Sequence, residues 1–154
     1  MYILAPNGTA ETYPYSIGQL RKDHPQTSFP KTPSDVLLAS YDVYPVTRTE
    51  PPQYDNVEQN LTELTPTLVD GAWVQVWQVS AASPEEVAQR TADLAASVRA
   101  QRDQLLQETD WIVIKAVERG ESTPPEWDIY RQALRDITSQ SGFPRNVVWP
   151  SKPE

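Results

Sequence analysis

Proline is the residue that most limits what this chain can become. It fixes φ, removes a backbone donor and pushes the residue before it out of the α region. Nine of the 15 prolines precede Ser83, none lies between Pro84 and Pro124, and five lie from Pro124 onward. Residues 1–82 therefore read as short strands, turns and one-turn helices. Residues 83–154 read as two helices followed by an extended tail. With only 5 glycines in 154 residues, the connections are stiff, and five Trp and seven Tyr supply apolar mass that a disordered chain lacks. The fold class expected is α+β. A small β-rich N-terminal domain with short helices spans 1–82, and a C-terminal helical hairpin, one long and one shorter helix with an extended Pro/Trp tail, spans 83–154.

Local signals fill in this division. Ser16-Ile17-Gly18-Gln19 has capping-box spacing, and a helix from Ile17 must stop before Pro25. Thr32 as N-cap with Pro33 at the first helical position predicts a second short helix, with Val36, Leu37 and Leu38 as its apolar side. Tyr41–Val46 is short and β-rich. Trp73–Val79 alternates, with Trp73, Trp77 and Val79 on one face and Val74 and Val76 on the other. Asp70-Gly71 before it signals a hairpin whose partner strand comes from residues 57–68, with Pro66 forcing an edge or a bulge.

Ser83-Pro84-Glu85-Glu86 combines an N-cap, a first-position proline and a capping-box glutamate, and nothing breaks the helix up to about Glu108. Val87, Thr91, Leu94, Val98, Gln101 and Leu105 follow heptad spacing, but two of these six positions are polar, which makes a weak coiled-coil seam. This helix is expected to pack on the second one, either within the chain or between chains. A homo-oligomer through the long helix is the second of those arrangements. Thr123-Pro124-Pro125-Glu126 repeats the start signal, and Trp127, Tyr130, Leu134 and Ile137 define one helical face. The second helix is expected to end near Ser139, with Gly142 as a stop and Phe143–Pro150 extended.

Chemistry narrows the function classes. A formal charge of −8 argues against nucleic acid, since phosphate binding needs clustered Lys and Arg. No uninterrupted apolar run approaches the ~18–20 residues of a membrane span, and no export signal is expected at the N-terminus. With no cysteine and His24 as the one histidine, neither a thiol nucleophile nor a two-histidine metal site nor a cofactor is expected. Asp103 and Asp110 would share a face only if the first helix ran that far, and Glu126 and Asp128 suit a helix N-terminus. A non-enzyme is the expected class, with a carbohydrate-active enzyme the weakest reading. The candidate partner-binding residues are Trp111, Trp127, Tyr130, Arg131, Arg135, Phe143 and Trp149, because Trp, Tyr and Arg anchor interfaces. For Trp127, Tyr130 and Leu134 the competing reading is packing within the chain. Trp149, on a stiff terminal strap, is the expected partner contact.

Three ordered blocks carry a resemblance. Arg102-Asp103-Gln104-Leu105-Leu106 with Thr109-Asp110-Trp111, then Trp127 to Ile137, then Gly142-Phe143-Pro144 with Val148-Trp149-Pro150 and Pro153, resemble the tail assembly chaperone domain of tailed bacteriophages over residues 99–153. The stretch from Tyr15-Ser16 to Phe29-Pro30, and Asp70-Gly71 before Trp73, more loosely resemble N-terminal regions joined to that domain in phage proteins. The resemblance implies a non-enzymatic helper in tail or tail-fibre assembly, with a phage tail fibre protein as partner. The resemblance also implies action in the host cytoplasm during assembly, with some similar proteins staying in the virion tail. The alternative is a structural virion component, a fibre or baseplate connector. Ile112–Val117 departs from the family's pattern as an apolar, β-like run, predicting an extra strand or a contact surface.

Overall fold

The computed structural model describes residues 1–153. The chain divides into two compact units, Met1–Ala81 and Ala82 onward. The class is α+β.

The first unit is a five-stranded sheet formed by β1 (Tyr2–Leu4), β2 (Thr12–Tyr15), β3 (Val43–Thr47), β4 (Gln59–Val69) and β5 (Ala72–Ala81) in the order β2-β1-β3-β5-β4. β1 pairs antiparallel with β2 and β3, while β3 runs parallel to β5. The two longest strands form the hairpin read from Asp70-Gly71. Both turn residues have positive φ, 49° and 81°, as the primed hairpin turn requires. Pro66 lies on the edge strand where the β4–β5 register shifts between Leu64 and Thr67, which is how a residue without an amide donor is accommodated.

Two short helices, α1 (Ile17–Asp23) and α2 (Asp35–Ala39), follow β2. Ser16 caps α1 through the Gln19 amide at 3.0 Å, and the helix stops before Pro25. At α2 the cap is Ser34, which accepts from the Leu37 amide at 3.3 Å, in place of the Thr32 expected. Leu38 is buried but Val36 is 83% exposed, because consecutive helical positions point 100° apart and cannot share one apolar side. The pleat sends Tyr2 and Leu4 toward Tyr15, Leu20, Leu38 and Val43. It sends Ile3 and Ala5 toward Val46 and Trp73.

The second unit holds the expected long and shorter helix: the long one is bent at Glu108–Thr109 into α3 (Pro84–Gln107) and α4 (Asp110–Arg119), and the shorter is α5 (Pro125–Arg135), with a 3-10 turn over Asp136–Ser139. α3 opens on the complete capping box between Ser83 and Glu86. Pro124 is the N-cap of α5 and Pro125 its first residue, one position later than Thr123 and Pro124. The run Ile112–Val117 is helical, not a strand: Asp110 opens it, Ile112 and Ala116 are buried four apart, and Gly120 stops it at φ 66°. Because α3 ends at Gln107, Asp103 and Asp110 do not share a helix. The core gathers Val98 of α3 with Tyr130, Leu134 and Ile137. α3 thus packs on α5 within the chain.

The terminal segment also departs from the expected extended strap. Residues 141–145 form turns, with a cis Phe143–Pro144 bond and the Asn146 amide donating to the Gly142 carbonyl at 2.7 Å. Only from Val147 onward is the chain free of turns.

Candidate partner-binding site in the C-terminal helices

Arg131 lies on the inward side of α5 and is 8% exposed. Its Nη1 donates to the Leu106 carbonyl at 2.9 Å and to Thr109 Oγ1 at 2.5 Å, and its Nη2 donates to Asp110 Oδ1 at 2.7 Å. One guanidinium thereby holds the end of α3 and the start of α4. Thr109, itself buried, returns hydrogen bonds from Oγ1 to the Leu105 and Leu106 carbonyls. The Leu106 carbonyl also accepts from the Thr109 amide at 3.1 Å, and a cation at the C-terminal end of α3 complements the helix dipole. The sequence did not reveal this junction: Arg131 stands 22 residues from Thr109 and 21 from Asp110, and only their joint presence in the resembling blocks hinted at a link.

The aromatic candidates separate by environment. Tyr130 is buried, and its phenol is pushed above its ordinary value by burial, with the nearby Glu108 carboxylate adding to the shift. Trp127 meets Tyr130 edge-on at 6.0 Å between ring centroids. Phe143 and Trp149 are half-buried against the same cluster, and the Arg99 guanidinium sits 5.2 Å from the Phe143 ring centroid. Trp149 therefore packs on its own core instead of projecting as a free strap. Its segment is pinned where the Gln140 side chain both donates to the Val148 carbonyl and accepts from the Val148 amide, each at 2.8 Å. Lys152 faces Glu108 at 3.8 Å. Arg135 is exposed in the last turn of α5.

Trp111 is the one aromatic candidate that remains mostly open, at 58% exposure. With Ile114 and Val117 at spacings of three it forms an exposed apolar stripe along α4. The other side of α4 borders a cleft of about 360 Å³, walled by Trp111 and Trp127 and floored by Ile112 and Ala116. Lys115 and Arg119 lie along its rim, and the Lys115 ammonium sits 5.6 Å from the Trp111 ring centroid. Sequence reading found Trp111 but not Lys115 or Arg119. Their signal was i, i+4 spacing from Trp111, visible only once α4 is known to be a helix.

Among the described residues no group of three or more His, Cys, Asp or Glu side chains is placed to hold a metal, and no helix is long and apolar enough to cross a membrane. Residues 95–154 match the family model described as phage tail assembly chaperone protein. The chaperone match takes in the Arg131 junction, α4, α5 and the terminal segment, so the resemblance read from the three blocks holds. No curated protein and no solved structure matches the chain.

Proposed function

We propose that this protein is a non-enzymatic assembly chaperone that binds a phage tail fibre protein, acting in the host cytoplasm and shielding the fibre subunit until it assembles. The observation that carries this reading is the coincidence of the chaperone-family segment with α4 and its solvent-facing Trp111, Ile114 and Val117. A helix that buries Ile112 and Ala116 while leaving three large apolar side chains in water resembles half of an interface. Fibre subunits expose apolar surface and strand edges before they trimerise, and such edges aggregate. A chaperone of net charge −8 keeps the complex soluble while they are covered.

Of the seven candidates, Trp111 and Trp127 are assigned to contact the partner, with Arg135 and the exposed edges of Phe143 and Trp149 at the rim. Tyr130 and Arg131 position α4 and α5. Co-expression with the fibre protein of the same phage tests the proposal. Fibre that becomes soluble and trimeric only with this protein, and fails to do so with Trp111→Ala/Ile114→Ser, is the expected result. Fibre that is equally soluble and trimeric in its absence refutes it. Counting copies in purified particles decides between release and retention in the virion.

A further inference from the structure

We propose that the cleft beside α4 takes an acidic–apolar segment of another protein, one large apolar side chain entering between Trp111 and Trp127 while Asp or Glu carboxylates meet Lys115 and Arg119. The inference rests on the partner-binding reading of α4 and names the chemistry of what binds there. The cleft, about 360 Å³, lies within the usual range of pockets, ~300–1,000 Å³. Its floor and walls are apolar and aromatic, which favours a side chain that leaves water. Lys115 and Arg119 stand one turn apart on the same rim, and Glu121 is the one carboxylate lining it.

The rim therefore carries an excess of positive charge in a chain whose formal charge is −8. Local sign opposite to that of the whole molecule selects against basic segments and orients acidic ones. The Lys115 ammonium lies beside the Trp111 ring, which places the charge next to the aromatic wall where the apolar side chain would enter. The chain's own tail is not the occupant: Gln140 holds it at Val148, Trp149 packs on the Tyr130 cluster, and Lys152 faces Glu108.

The test titrates the full-length protein with three fluorescein-labelled dodecapeptides. One carries a Leu-Phe pair flanked by Asp and Glu, one the same pair flanked by Lys, and one the acidic flanks around Gly-Ser. The acidic–apolar peptide is expected to bind at least tenfold more tightly than either control and to weaken as salt rises. K115E/R119E, a change of two exposed side chains, is expected to lose at least tenfold in affinity while the protein keeps its helical circular dichroism and a cooperative melt. Equal binding of the lysine-flanked peptide, or undiminished binding by K115E/R119E, overturns the proposal. So does a concentration-dependent dimer in sedimentation that Trp111→Ala abolishes, since that gives the cleft to a second copy.

A second arm separates this inference from the chaperone reading. Wild type and K115E/R119E are each co-expressed with the fibre protein of the same phage. Equal capture of the fibre by both leaves the chaperone reading standing and removes the charge-selective cleft. Peptide selectivity without fibre capture does the reverse.

Discussion

Arg131 illustrates how a residue that resembles an interface anchor becomes a structural one. Its guanidinium ends on two oxygens around the close of α3 and one at the opening of α4, so truncation removes three charge-assisted bonds, although the Thr109 amide and hydroxyl still donate to the Leu106 carbonyl. Arg131→Ala is expected to cost about 1.5–3 kcal/mol, the range for hydrogen bonds made by a charged group. The Asp110 side chain is 52% exposed, so its share is smaller. A double-mutant cycle between Arg131 and Asp110 is expected to return about 0.5 kcal/mol, with most of the loss surviving in the Asp110→Ala background. Equilibrium denaturation of the four proteins measures both quantities, and a coupling above about 2 kcal/mol contradicts this partition.

A second polar group sits in the first unit, where sequence reading placed no special residue. Glu63 on β4 accepts from the Tyr13 hydroxyl and from Gln75 Nε2, the latter at 2.7 Å. Both donors favour the ionised carboxylate and hold Glu63 below its ordinary value of 4.5. The same contact, behind the larger effect of burial, pushes the Tyr13 phenol up to about 12. Glu63 is depressed on folding, so its contribution is present above the unfolded value and lost as pH falls through the folded one. Tyr13 is raised, so its contribution is present below its model-compound value of 10 and lost as pH rises toward 12. Glu63→Gln is therefore expected to flatten the acid limb of stability against pH, and Tyr13→Phe the alkaline limb. Thermal midpoints between pH 3 and neutrality, and again above pH 9, measure the two effects; unchanged slopes in the variants deny them.

At the scale of elements, what could be read in the sequence was whatever is decided locally. Ser16, Ser83 and the Asp70-Gly71 turn act through neighbours two or three residues away, and each does what its spacing predicts. The misread elements are those decided at a distance. Ile112–Val117 has the composition of a strand, yet its helical state follows from burying Ile112 and Ala116 and from the ties of Arg131 at its start. Val36 fails as a core residue because only one position of a five-residue helix faces the sheet. Gly142 does not stop a helix; its constraint is one of space, since an added Cβ would run into the Asn146 carbonyl oxygen. Gly142→Ala must therefore displace the turn that returns the tail to the core, and is expected to cost about 2 kcal/mol or more. A chemical denaturation midpoint indistinguishable from wild type would rule out that close approach as a constraint.

For the whole molecule, the division at Ala81/Ala82 gives each unit its own interior. The first has the two sides of a mixed sheet. The second has the cluster of Val98, Tyr130, Leu134 and Ile137, completed by Phe143, Val147 and Trp149. The chaperone-family match lies wholly in the second. A unit this small, below about 80 residues, has a core too slight to spare any layer. Its terminal segment supplies one such layer, because Val147 and Trp149 cover the cluster and Gln140 fixes their register. Fragment 82–154 is accordingly expected to keep its helical signal and to melt in one cooperative transition followed by circular dichroism. Fragment 82–146, deprived of Val147 and Trp149, is expected to be about 2 kcal/mol less stable, a fall of roughly 10 °C in midpoint for a domain of this size. If the two fragments melt together, the tail is not part of the core and Trp149 is free for a partner. If neither is helical, the second unit depends on the first, and its family segment does not fold by itself.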